Sequence, residues 1–150
     1  MNVMGSCTPK WFLADHGEFY GKEILNGFVF VPDRDSAGQN AMETVASGDL
    51  FLHLSPSGIS AIGRANSAPH RVPVPFWRRR KSKLGERGYA VEVQIFLLPV
   101  SIPFSKAENT CLTALSKAQF EAIFQQISEC VPDLANAGWI KSLCPESGNE

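Results

Sequence analysis

Gly48-Asp49-Leu50-Phe51-Leu52-His53-Leu54-Ser55-Pro56-Ser57-Gly58-Ile59-Ser60-Ala61-Ile62-Gly63-Arg64-Ala65 is the stretch from which the fold can be read. An apolar run, Leu50 to Leu54, meets four turn-forming residues, and a second run opens at Ile59 and continues toward Ser67, which is the pattern of a β-hairpin. Serine at the first turn position, proline at the second and glycine at the fourth suit a type I turn, because the proline ring presets φ and glycine relaxes the exit. Just ahead, Gly48 reads as the end of a helix and Asp49 as a carboxylate bracing the turn into the strand.

Upstream of the hairpin, Ser36 to Ser47 turns to Ala, Gln, Met and Glu with Met42 and Val45 three apart, which predicts a short amphipathic helix. Gly27-Phe28-Val29-Phe30-Val31 stops at Pro32-Asp33 and reads as a strand, as does Lys10-Trp11-Phe12-Leu13-Ala14. The interval between those two strands looks loop-like. Downstream, residues 68–87 combine prolines and glycine with a basic run and read as a surface loop or arm. Tyr89 to Leu98 alternates and then becomes continuously apolar, a strand entering a core, with Pro99 and Pro103 expected to end it. Ser116-Lys117-Ala118-Gln119 has the form of a capping box, and Phe120, Ile123, Phe124 and Ile127 follow at helical spacing. Asp133 to Trp139 is expected to add a short helix after Pro132, and Pro145 to Glu150 a frayed tail. Strands first, one inserted helix, then a helical end predict an α+β domain built on a bent sheet or open barrel of five to six strands with flanking helices.

The chain has 150 residues, 44% of them hydrophobic, which suits one domain with a single core. Its formal net charge is −1, so bulk charge gives no argument for nucleic-acid binding; the distribution does. Seven basic residues (Arg71, Arg78, Arg79, Arg80, Lys81, Lys83 and Arg87) stand against one acid, Glu86, between positions 71 and 87. Cys7, Cys111, Cys130 and Cys144 are scattered without a CxxC pair, and no charged segment followed by an apolar run opens the chain. Reduced thiols, a cytoplasmic location, no zinc site and no cofactor are therefore expected. No apolar run approaches the ~18–20 residues of a membrane span.

His16, His53, His70, Asp15 and Asp49 could in principle carry chemistry, yet no glycine-rich phosphate loop, GxSxG elbow, HExxH or zinc-deaminase signature surrounds them. An enzyme is not expected. A lone histidine inside an apolar strand, as His53 is, reads first as hydrogen-bonded within the core or on its polar face. The basic run says more: Phe76-Trp77 immediately precede Arg78-Arg79-Arg80-Lys81, placing aromatic faces beside cations that pair with phosphate. A solvated loop with Trp77 plugging the core is the other reading of the same residues.

Taken in order, Trp11-Phe12-Leu13, Gly27-Phe28-Val29-Phe30, Met42-x-x-Val45-x-x-Gly48-Asp49-Leu50-Phe51-Leu52-His53, Gly58-Ile59-x-Ala61-Ile62-Gly63-x-Ala65, Trp77 and Gly88-Tyr89-x-Val91-x-Val93 resemble an EVE domain. This is a PUA-like group related to YTH domains. The resemblance implies residues 1–9 as a lead-in, 10–141 as the modified-base-binding domain and 142–150 as a flexible tail. It further implies a non-catalytic reader of double-stranded DNA containing 5-methylcytosine or 5-hydroxymethylcytosine. Such a reader flips the base into an aromatic pocket and directs a modification-dependent restriction nuclease on a separate domain or chain. By the same resemblance the pocket draws on Trp11, Ala14, Asp15, His16, Phe28, Phe30 and Trp77. The relatives often carry tryptophan in the second strand where this chain has phenylalanine. Asp15 suits cytosine, since a carboxylate accepts from its N4 amino group. The basic residues Arg71, Arg78, Arg79, Arg80, Lys81, Lys83 and Arg87 are expected on the DNA backbone. An RNA-binding PUA-like module for tRNA or modified RNA is the alternative, because nothing in the chain selects deoxyribose.

Overall fold

The computed structural model describes residues 9–81, 85–105 and 110–132. Seven strands and three α-helices lie within them, in the order β1 (Trp11–Asp15), α1 (Tyr20–Asn26), β2 (Phe28–Pro32), α2 (Ser36–Met42), β3 (Leu50–Ser55), β4 (Gly58–Ala65), β5 (His70–Pro73), β6 (Arg87–Ile102), β7 (Leu112–Leu115) and α3 (Lys117–Cys130). The sheet runs β2-β6-β4-β3-β1-β7, with β5 also on β6, and it curls into a half-barrel. β1 and β3 are parallel, which requires a crossover, and α1, β2 and α2 supply it.

Strand alternation divides most of the apolar residues between two cores, with Phe30, Val74 and Ala90 forming a third, smaller cluster. Phe12, Ala14 and Phe51 face the inside of the curl with Val29, Val31, Met42 and Val91. Leu13 and Leu52 face the other way, onto Phe120, Phe124 and Ile127 of α3. Burying each such side chain stabilises by ~1.5–3 kcal/mol, and a one-residue slip would exchange the two faces, so the register is strongly specified. α3 opens on the expected capping box: Ser116 Oγ accepts from the Gln119 amide at 3.1 Å, and Gln119 Oε1 accepts from the Ser116 amide at 2.8 Å.

The α+β half-barrel and the hairpin match the expectation from sequence, while several details differ. The interval after β1 is a 3₁₀ turn, Gly17–Phe19, followed by α1. Gly27, at φ +69°, closes α1 in the left-handed conformation that favours glycine. α2 stops at Met42 rather than near Ser47, because Val45 turns into the core and the Thr44 hydroxyl donates back to the Ala41 carbonyl. Gly48 therefore lies beyond the helix end, while Asp49 braces the turn by accepting from the Ala46 and Lys10 amides.

The stretch 68–87 is not all loop. It contains β5, paired to β6, and a 3₁₀ helix, Phe76–Lys81. Pro99 does not end β6: the pairing with β4 passes from Ala61↔Leu97 to Ile59↔Ile102, and the bulge accommodates a residue with no amide donor. The helix expected over 133–139 and the tail 145–150 lie outside the described residues. No helix among the described residues is long and apolar enough to cross a membrane.

Candidate functional site

β1 and β2 are separated by three strands in the sheet, yet the ends of both line one cleft of about 640 Å³. Asp15 and His16 come from the end of β1, Phe19 from the 3₁₀ turn, Pro32 from the end of β2, Asp35 from the start of α2, and Arg78 from the 3₁₀ helix. Asp35 ties the start of α2 to the segment before β7, since its carboxylate accepts from the Gly38 amide at 2.9 Å, the Thr110 hydroxyl at 2.8 Å and the Cys111 amide at 2.7 Å. Burial works to raise its pKa, but those donors prevail and hold it below the usual value. Asp15, which also lines the cleft, accepts from the Gly17 amide at 2.9 Å.

Behind this cleft lies a buried polar network centred on Glu23 of α1, which is fully enclosed. Arg78 grips both its oxygens, through Nε to Oε2 and through Nη2 to Oε1 at 2.7 Å. Trp77 Nε1 donates to Oε2 at 3.1 Å, and His16 Nδ1 lies 2.8 Å from Oε1. Burial pushes the Glu23 pKa up, yet the hydrogen bonds and charges of Arg78 and His16 outweigh it, so the carboxylate titrates below its usual range. The Arg78 guanidinium also lies over the rings of Phe19, at 4.7 Å, and Phe30, at 5.3 Å. Ion-paired and packed over these rings, Arg78 also lines the first cleft.

Phe28 and Trp77 line a second cleft, of about 550 Å³, together with Phe76, His70 and Asn66. The ring expected at the base therefore does not form as a single wall. Phe30 is closed into the core at 1% exposure and Ala14 is fully buried, while Trp11 stacks on Phe120 at 5.0 Å on the α3 side of the sheet. Of the residues expected around one base, the first cleft brings together Asp15 and His16, and the second Phe28 and Trp77.

The basic run is also divided. Arg78 is 8% exposed and ion-paired, not a surface cation. Arg71 reaches Asp33 with two hydrogen bonds, at 2.8 and 2.6 Å, and lies over the Tyr89 ring. Arg79 and Arg87 are exposed, the latter with its carbonyl accepting from the Asp33 amide beside the first cleft. Arg80 and Lys81 lie on the 3₁₀ helix, and Lys83 falls outside the described residues. Among the described residues no group of three or more His, Cys, Asp or Glu is placed to hold a metal ion.

Phe19, Glu23 and Asp35 are the site residues that the sequence reading missed. Asp35 had a local signal, an aspartate opening a helical stretch; Phe19 and Glu23 had none, because only tertiary structure brings them to Arg78.

No protein-family model and no curated protein matches the chain. Solved structures do. A protein of Pseudomonas putida superimposes with a TM-score of 0.58 at 15% identity, over 78% of this chain and 99% of that one. A hypothetical protein from Leishmania major gives 0.55 at 11% identity, over 82% and 97%. The YTH domain of the Zygosaccharomyces rouxii MRB1 protein, solved in complex with N6-methyladenosine RNA, gives 0.52 at 13% identity, over 85% and 90%. At these identities the likeness is one of fold: the half-barrel is shared with these structures, a YTH domain among them.

Proposed function

We propose that this chain is an EVE-like, non-catalytic reader of modified cytosine in double-stranded DNA, taking the extruded base into the cleft at the ends of β1 and β2. The observation that carries the reading is the cleft itself, lined by a carboxylate, Asp15, and by a guanidinium, Arg78, that lies over aromatic rings. A volume of about 640 Å³ holds a nucleoside with room for a substituent on the ring. An extruded base has lost its stacking and pairing at a cost of about a few kcal/mol, which contacts with Phe19 and Arg78 offset. Asp15 accepts from the N4 amino group of cytosine. Exposed Arg79 and Arg87 contact phosphate, with Arg71 able to exchange Asp33 for it. Cutting belongs to a nuclease on another domain or chain.

Fluorescence polarisation across duplexes carrying cytosine, 5-methylcytosine, 5-hydroxymethylcytosine or N6-methyladenine tests this. Tighter binding to a modified cytosine supports it, and equal binding to all four overturns it. The second reading, a module for modified RNA, is favoured by one observation: the YTH structure with this fold was solved with N6-methyladenosine RNA. Competition between methylated DNA and methylated RNA separates the two.

A further inference from the structure

We propose that the second cleft receives a second base of the same nucleic-acid strand, the neighbour of the base held in the first. The proposal rests on the nucleic-acid reading above and adds a subsite to it. Trp77 meets Phe28 edge-on at 5.7 Å and Phe76 edge-on at 5.2 Å, so the three rings do not stack face to face on one another and leave flat area for a guest. Phe76 is 65% exposed, a large apolar side chain standing in solvent at the cleft mouth. Asn66, His70 and Glu92 bring amide, imidazole and carboxylate groups to the same cleft, which suit the donor and acceptor edges of a base better than an apolar peptide.

The two clefts share a wall. Trp77 and Arg78 are consecutive, with Cα atoms ~3.8 Å apart, and one lines each cleft. Both donate to Glu23, which fixes the ridge between them. A strand crossing that ridge places successive bases on either side, with exposed Arg79 of the same 3₁₀ helix toward its phosphates. Aromatic platforms beside cations are how single strands are held without reading sequence. The second cleft therefore adds affinity while the first supplies discrimination.

The test uses single-stranded trinucleotides, as DNA and as RNA, centred on 5-methylcytosine or cytosine and flanked by bases or by abasic sites. Wild type, Phe76→Ala and Phe76→Trp are compared; Phe76 is exposed, so neither change disturbs the core. Flanking bases are expected to tighten binding roughly 5- to 100-fold in the wild type and in Phe76→Trp. Phe76→Ala should lose that gain and keep the preference for the modified centre. A flanking-base gain that is absent, or unchanged in Phe76→Ala, overturns the second subsite while leaving the first cleft standing. Self-association that depends on Phe76 without any flanking-base gain overturns it in favour of a protein contact. Failure of every trinucleotide to bind, with the duplex panel still showing a preference for modified cytosine, overturns the subsite alone; failure in both overturns the reading beneath it as well.

Discussion

Nε2 of His16 lies 2.9 Å from Nδ1 of His53, and this contact extends the Glu23 network into the interior of the half-barrel. Glu23, held ionised, only accepts, so His16 Nδ1 carries a proton toward it. His16 Nε2 and His53 Nδ1 share one proton between them. His53 Nε2 lies at the end of the chain and has no hydrogen-bond partner among the described residues. The first cleft is thus backed by a relay of three buried side chains, Glu23, His16 and His53.

The relay makes stability depend on pH through His53. Burial, then the neighbouring His16, hold its pKa well below the ordinary histidine value. As pH falls below about 6.5 the unfolded chain protonates His53 and the folded chain does not, so stability present above that value is lost with a slope of up to ~1.4 kcal/mol per pH unit. His53→Asn keeps a donor toward His16 and removes the titration. Urea midpoints at about pH 7.5 and 5.5 are expected to fall further in the wild type than in the variant. Equal losses would sink the assignment.

Gly63 makes the room that the His53 ring occupies, since a Cβ at that position would collide with His53 Nε2. Gly63→Ala is expected to cost ~1–3 kcal/mol, and His53→Ala in the same chain to recover part of it. Thermal melts of the two single variants and the double variant measure the coupling; strict additivity would show that the two residues do not compete for the same space.

Much of this architecture was legible because β1 to β4 carry apolar residues on both faces. Leu52 and Leu54 bracket His53, and Phe12 and Leu13 point to opposite cores, so short apolar runs announced themselves. α1 did not. Its one buried residue is Glu23, and no hydrophobic period marks a helix that buries an acid. β5 escaped because its residues are mostly exposed and it ends in proline, and β7 because it is four residues long. For the site, Asp15 and His16 could be read as polar residues closing an apolar strand. The division of Phe28 and Trp77 from them could not, since it depends on a wall built by Glu23, at 54 residues from Trp77.

Removing Glu23 strands a buried cation and two buried N–H groups, so Glu23→Ala is expected to lose ~3–5 kcal/mol of stability. Replacing the pair together, Glu23→Leu with Arg78→Met, should restore much of that, because apolar packing substitutes for a desolvated ion pair. In the wild type the carboxylate contributes stability above its unfolded pKa, near about 4.5, and loses it as pH falls through the depressed folded value. Urea unfolding of both variants decides; a double variant less stable than Glu23→Ala would contradict the ion-pair account.

Two thiols should differ in reactivity. Burial pushes Cys111 up to about 11 against the lowering effect of Arg78, whereas Cys130 is exposed on α3. At neutral pH Cys111 is therefore almost wholly protonated, and the thiolate is the nucleophile. Iodoacetamide followed by peptide mass mapping should find Cys130 modified well before Cys111. The reverse order would mean that the cleft wall around Cys111 opens readily in solution.

Discrimination and grip should separate by residue. Asp15 lies on the wall of the first cleft and Arg79 is an exposed cation on the 3₁₀ helix, so each can be changed without touching the Glu23 network. Asp15→Ala removes the acceptor for the cytosine amino group and should erase ~1–3 kcal/mol of preference for modified cytosine over modified adenine. Its effect on binding to plain duplex should be small. Arg79→Ala should weaken modified and plain duplexes alike and reduce the slope of log affinity against log salt by about 1, as loss of one phosphate contact requires. Polarisation titrations at several salt concentrations measure both quantities. If Asp15→Ala lowers affinity for every duplex equally, its carboxylate shapes the cleft rather than reading the base, and the cytosine assignment falls with it.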